Sequence, residues 1–261
     1  MLKFFLIFMC FAIFIHQKNA YSLGKWDYLG TNISISKDLF ISTRSIKGDL
    51  YIKDVKQIKD LVIISPGGGI KSKHITSLSK EIAEYGNAVF TIDYPFGYAI
   101  LYRNLFDHLK EMIQKKSFFI HDIQENDIDQ IRATFNSFAI FGHSLGGAIL
   151  GDVIKKEEGI ISKIILYGVD KFTSKINVSN KKVIFLSGEN DRLINFKKVV
   201  SMASESKNWS ANKIEGLNHF CILDNNKIGS RLLRNKDGKT RLENKICAKR
   251  LAEIIETKLG E

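Results

Sequence analysis

The stretch that leaves this chain the fewest choices runs from Phe138 to Leu150 and reads Phe-Ala-Ile-Phe-Gly-His-Ser-Leu-Gly-Gly-Ala-Ile-Leu. Phe138 to Phe141 have the apolar run of a buried strand, and Ala148, Ile149 and Leu150 open a helix. Gly142-His143-Ser144-Leu145-Gly146 must turn one into the other. So tight a turn forces its central residue into a strained backbone conformation, and flanking glycines remove the side chains that would collide there. The Ser144 hydroxyl is thereby lifted clear of the main chain. The Leu145 amide falls at the start of the helix, where N–H groups have no intrahelical acceptor and favour negative charge. For the bare Gly-x-Ser-x-Gly pattern the bland alternative is a glycine-rich turn carrying a surface serine. A strand before it and a helix after it weigh against that alternative.

At 261 residues with 44% hydrophobic content the chain is long enough for one large core. With two prolines, no low-complexity run and no internal repeat, it offers no interdomain linker, so a single domain over 21–261 is expected.

Other segments repeat the strand-then-helix rhythm. Thr31 to Ile35 and Leu39 to Ser42 read as early strands, with Lys47-Gly48-Asp49 as a turn into Leu50-Tyr51-Ile52. Leu61 to Ile64 is continuously apolar, as in a parallel strand covered on both faces, and ends in Ser65-Pro66-Gly67-Gly68-Gly69. A helix is expected over Ser72 to Tyr85, closed by Gly86-Asn87, and a strand over Ala88 to Pro95. Residues 96–136 carry two or three helical patterns. Their aromatics, Tyr98, Tyr102, Phe106, Phe118 and Phe119, read first as core, with a small lid or acyl pocket as the alternative. Further strands follow at Lys163 to Tyr167, Lys182 to Leu186 and Asn212 to Gly216, and a last helix at Lys245 to Leu259. Alternation of this kind predicts an α/β fold with a mostly parallel central sheet and helices on both faces.

Three reactive side chains stand just past strands, in the order Ser144, Asp191, His219. A serine hydroxyl needs a base to take its proton during attack, imidazole exchanges protons near neutrality, and a carboxylate holds the ring in one tautomer. Glu189, Asp170 and Asp224 compete with Asp191 for the acid position. His143 reads as a packing or pocket residue. His74, His108 and His121 have no metal-ligand spacing with Cys, Asp or Glu, so neither a metal nor a cofactor is expected.

Residues 1–20 are a separate element. Lys3 gives a positive start, Phe4 to Ile15 is uninterruptedly apolar, and His16 to Ala20 is polar and ends on a small residue. That is the layout of a secretory signal peptide cleaved after Ala20, which implies a periplasmic or secreted product. Lys18 stands where a small residue is preferred, which keeps an uncleaved membrane anchor open. Cleavage removes Lys3 and Lys18 and no acid, so the formal charge falls from +11 to +9. The lysines are scattered and interleave no nucleic-acid motif, so no nucleic-acid partner is expected. Solubility is their first reading and peripheral contact with an anionic membrane the second. An exported chain would keep Cys221 and Cys247, a candidate disulfide tying the segment after His219 to the last helix.

Gly-His-Ser-Leu-Gly-Gly at 142–147, Gly-Glu-Asn-Asp at 188–191 and Gly-Leu-Asn-His-Phe at 216–220 together resemble the nucleophile elbow, acid loop and histidine loop of the α/β-hydrolase superfamily. The resemblance covers nearly all of residues 60–260, and the layout is similar to the dienelactone-hydrolase-like, chlorophyllase-like and platelet-activating-factor-acetylhydrolase-like branches. It implies Ser144 as nucleophile, His219 as base, Asp191 as acid, and an oxyanion hole of backbone amides from Leu145 and from Gly67 or Gly68. One departure concerns the loop at 65–69, where many members have a His-Gly pair; the backbone donors survive this, but the tether of the loop is left open. The implied activity is cleavage of a small-molecule or lipid-like carboxylic ester through an acyl-serine intermediate. Peptidase and acyltransferase activities use the same triad, and a non-catalytic binding protein on the same scaffold is the alternative from another class. Dehalogenase and epoxide hydrolase chemistry needs a carboxylate nucleophile where Ser144 stands. The oligomeric state is left open.

Overall fold

The computed structural model describes residues 31–35, 46–53, 58–94, 138–151, 161–173, 181–225, 228, 231–240 and 242–261. The expected leader, the expected strand at Leu39 to Ser42 and the expected lid within 96–136 lie outside these residues.

Eight strands form one sheet: β1 (Thr31–Ile35), β2 (Ile46–Tyr51), β3 (Leu61–Ser65), β4 (Ala88–Asp93), β5 (Phe138–His143), β6 (Ile161–Tyr167), β7 (Val183–Gly188) and β8 (Trp209–Ile214). Their order across the sheet is β1-β2-β4-β3-β5-β6-β7-β8. β1 with β2 and β2 with β4 pair antiparallel, and every pair from β4 to β8 is parallel. The described helices are α1 (Thr76–Glu84), α2 (Ser144–Ala148), α3 (Phe196–Ala203), α4 (Arg231–Lys236) and α5 (Asn244–Gly260).

β3 to β7 carry long apolar runs because alternate side chains enter opposite layers, whereas β8, at the edge of the sheet, is exposed or half-buried from Ser210 to Lys213. Leu61, Ile63, Ile164, Leu166, Val183 and Phe185 face one layer, which holds Val199 and Ala203 of α3. Val62, Ile64, Ile165, Tyr167, Ile184 and Leu186 face the other, with Leu78 and Ile82 of α1 and Leu251 and Ile255 of α5. Helices therefore cover both faces, as the alternating sequence pattern predicts.

Helix ends are closed by specific side chains. Asn195 accepts the Lys197 amide at 3.1 Å and caps α3. α1 begins after Ile75, which offers no capping oxygen. The Asp224 carboxylate, distant in sequence, accepts the Thr76 and Ser77 amides at 2.8 and 2.9 Å instead. At the far end of α5, Lys163 of β6 donates to the carbonyls of Lys258 and Leu259.

Four expectations are corrected. Lys47-Gly48-Asp49 is not a turn but the middle of β2: a Cβ at Gly48 would stand 2.2 Å from the Thr91 carbonyl oxygen and 2.7 Å from the Phe90 ring, so the glycine admits a neighbouring strand. The helix expected from Ser72 is a short 3-10 turn at Ser72–His74 followed by α1, and the last strand starts earlier than expected, at Trp209. α4 has no buried residue, so no apolar stripe marks it. Cys221 and Cys247 form no disulfide. They are buried free thiols in the layer that holds α5, with Cys221 Sγ 3.9 Å from the Tyr167 hydroxyl and Cys247 Sγ 4.0 Å from Thr240 Oγ1. The neighbouring Cys247 thiol, and then burial, push the Cys221 thiol up.

Candidate active site

β5 and α2 meet at Ser144 with no loop between them, and the cost appears in its backbone: Ser144 has φ of +51°, the one non-glycine residue with positive φ among the described residues. The sharp reversal leaves Ser144 partly exposed while His143 before it and Gly146 after it are buried. Gly146 must lack a side chain, since a Cβ there would stand 2.1 Å from the Pro66 carbonyl oxygen.

The loop after β3 comes against this turn. A Cβ at Gly67 would stand 3.1 Å from the Ser144 Cβ, and one at Gly68 would stand 3.1 Å from Leu145 Cδ2. The loop after β3 thus lies directly against Ser144 and the Leu145 side chain. The tether that the missing His-Gly pair left open is Ser65: its hydroxyl donates to the Gly146 carbonyl at 2.8 Å and, its one proton so used, accepts from the Tyr94 hydroxyl at 2.6 Å.

β7 ends in a loop carrying Asp191, and β8 ends in one carrying His219. His219 Nε2 lies 2.9 Å from Ser144 Oγ, and its Nδ1 lies 2.8 Å from Asp191 Oδ2. Asp191 Oδ1 is held by the Leu193 and Ile194 amides at 3.0 and 3.2 Å. The Asp191 side chain is fully shielded from solvent and that of His219 is buried. With the carboxylate fixed on Nδ1, that nitrogen carries the proton and Nε2 presents its lone pair to the serine hydroxyl. Space for the pair comes from Gly168, just after β6. Its φ is +66°, and a Cβ there would stand 2.8 Å from the His219 ring.

The other candidates have different tasks. Glu189 Oε2 accepts the Gly216 amide, Asp170 Oδ2 accepts the Asn195 amide, and Asp224 caps α1. His74 Nδ1 accepts the Lys71 amide. His143 is wholly buried, its Nε2 donates to the His219 carbonyl at 3.1 Å, and its ring lies 5.0 Å from that of His219. Burial, and then the neighbouring His219, hold its pKa well below the ordinary histidine value. His143 therefore braces the histidine loop as a neutral ring. His108 and His121 lie outside the described residues. Among the described residues no helix is long and apolar enough to cross a membrane.

The family model described as "Alpha/beta hydrolase family" matches residues 61–224, a span that contains Ser144, Asp191 and His219. Among solved structures, Est1E from Butyrivibrio proteoclasticus is similar with a TM-score of 0.58 and 15% identity, over 88% of this chain and 100% of its own. A dienelactone hydrolase-like promiscuous phosphotriesterase from metagenomic libraries gives a TM-score of 0.59 and 13% identity, over 89% of this chain and 97% of its own. The esterase domain of a Rhodothermus marinus protein gives 0.55 and 11%, over 87% and 95%. At these identities the likeness is one of fold. No curated protein matches the chain.

Proposed function

The chain belongs to the alpha/beta hydrolase family, and on that premise we propose that it is an exported serine hydrolase cleaving carboxylic esters through an acyl-serine intermediate. The observation that carries this reading is the continuous line of hydrogen bonds from Asp191 Oδ2 through His219 to Ser144 Oγ, at 2.8 and 2.9 Å. As Ser144 attacks the ester carbonyl, His219 Nε2 takes its proton, and Asp191 stabilises the imidazolium that forms. The oxygen that becomes negative is held by the Leu145 amide and by an amide of Gly67 or Gly68. The His219 proton then passes to the departing alcohol, and a water activated by the same ring releases the acid. Loss of a single oxyanion donor typically costs about 3 kcal/mol, so the loop after β3 matters nearly as much as the three side chains.

The substrate class we propose is a small-molecule or lipid-like ester. The apolar start at Phe4 to Ile15 and the net charge of +11 support export and peripheral contact with an anionic membrane. A binding protein on this scaffold has no use for a serine held at φ of +51° with an imidazole on its hydroxyl, and the strain at Ser144 favours catalysis.

The test is covalent. A fluorophosphonate probe should add to the peptide carrying Ser144 and abolish turnover of p-nitrophenyl acetate. If Ser144→Ala hydrolyses that ester as fast as the parent, the acyl-serine route is wrong.

A further inference from the structure

Asp237 lies outside the sequence motifs and outside the triad, yet its carboxylate touches both loops that build it. Asp237 Oδ1 accepts the amide of Arg192, the residue after Asp191, at 3.3 Å. Asp237 Oδ2 accepts the amide of Phe220, the residue after His219, also at 3.3 Å. The adjoining Gly238 completes the connection: its amide turns back to Asp237 Oδ1 at 2.9 Å, and its carbonyl accepts Asn218 Nδ2 at 2.6 Å. The approach is so close that a Cβ on Gly238 would stand 1.9 Å from the Asn190 carbonyl oxygen. One carboxylate thus spans the two loops.

We infer that Asp237 is a positioning residue for the hydrolysis, one that sets the separation of Asp191 and His219 by gripping the main chain one residue beyond each. The inference rests on the serine-hydrolase reading. Asp237 does not touch Ser144 or the imidazole, so it acts through the backbone of its neighbours. The energetics fit a residue kept for placement rather than for stability. Burial, then the nearby Asp191, push the Asp237 carboxyl up, and the Arg192 amide, the nearby His219 and the Gly238 amide pull it back. A carboxylate held near another carboxylate persists only where its acceptors are used, and here the amides on both loops use them.

Asp237→Asn is the informative change. The amide group keeps one acceptor for Arg192 and Gly238 but turns an N–H donor toward the N–H of Phe220. Turnover of p-nitrophenyl acetate per active site, counted by fluorophosphonate titration, should fall about 10-fold while KM stays within about twofold, since the misplacement acts on geometry in the transition state. Asn218→Ala removes the third tie and should move kcat in the same direction by less. Independently of turnover, the downfield proton resonance of the imidazole Nδ1–H shared with Asp191 should shift in Asp237→Asn. A folded Asp237→Asn variant with fewer titratable sites but unchanged kcat per site would reduce Asp237 to a structural residue and overturn the proposal. If the parent protein turns over no ester, the ester-hydrolase reading fails. The resonance then decides Asp237 by itself, and an unchanged signal overturns the positioning role.

Discussion

Ser65 donates its hydroxyl to the carbonyl oxygen of Gly146 at 2.8 Å, so the loop leaving β3 and the helix that follows Ser144 are joined by a buried hydrogen bond. Gly146 permits the approach by having no side chain to meet the Pro66 carbonyl. Ser65→Ala leaves that carbonyl oxygen without its hydroxyl donor, at a cost of about 1–3 kcal/mol. The loop amides should drift with it. The expected result is a lowered urea midpoint together with a fall in kcat of roughly 10-fold, since oxyanion donors act in the transition state. An unchanged kcat in a destabilised protein would mean that the loop finds its place without the tether.

The choice among acids can be decided with two conservative changes. Asp191→Asn should lower kcat roughly 10³- to 10⁴-fold, because an amide cannot hold the imidazole in the required tautomer. Glu189→Gln should change it less than about threefold, because the Gln oxygen can still accept the Gly216 amide. Steady-state rates on one ester suffice, and a reversed ranking would move the acid to Glu189.

Gly168 has φ of +66° and faces the ring of His219. In Gly168→Ala the left-handed backbone alone costs about 1–2 kcal/mol, and the new methyl displaces the imidazole from Asp191. A drop in thermal midpoint accompanied by slower fluorophosphonate labelling is expected. Normal labelling kinetics would show that the ring has room to spare.

His143 gives the protein a pH dependence of known sign. Its folded pKa lies below the ordinary 6.5, so on acidification the unfolded chain binds a proton before the folded one does. The stability it contributes is present above pH 6.5 and is lost as pH falls toward the folded pKa, at up to about 1.4 kcal/mol per pH unit. Urea melts between pH 7.5 and 5 check this. The slope should flatten in His143→Gln, and an equal slope in both proteins would assign the effect to other groups.

What could be read from the sequence was what is local. Strand, turn and helix around Ser144 lie within a few residues, and the order of Asp191 and His219 past later strands needs only the parallel topology to bring them together. Gly48 and Asp237 were illegible for the opposite reason. A glycine between lysine and aspartate reads as a turn until Phe90 and Thr91 are known to lie against it. Asp237 drew no reading from the sequence, because nothing in its neighbours says that the amides of Arg192 and Phe220 converge on its carboxylate. The Asp-Gly pair was the available signal, and nothing in it names the distant amides. The cysteines show the same limit, since pairing logic predicts a partner but not whether two buried sulfurs bond or stay free.

The parity of β5 carries one more implication. Ile140 enters the layer with α3 and Phe141 the layer with α1 and α5, so each position along the strand has an assigned side. Adding or deleting a single amino acid between Phe138 and His143 would exchange those sides and deliver Ser144 to the wrong flank of the sheet, however well every motif around it were preserved. Shuffled or grafted versions of this scaffold will stay productive when length changes are confined to the connecting segments, and the strand that ends at the serine must be moved whole.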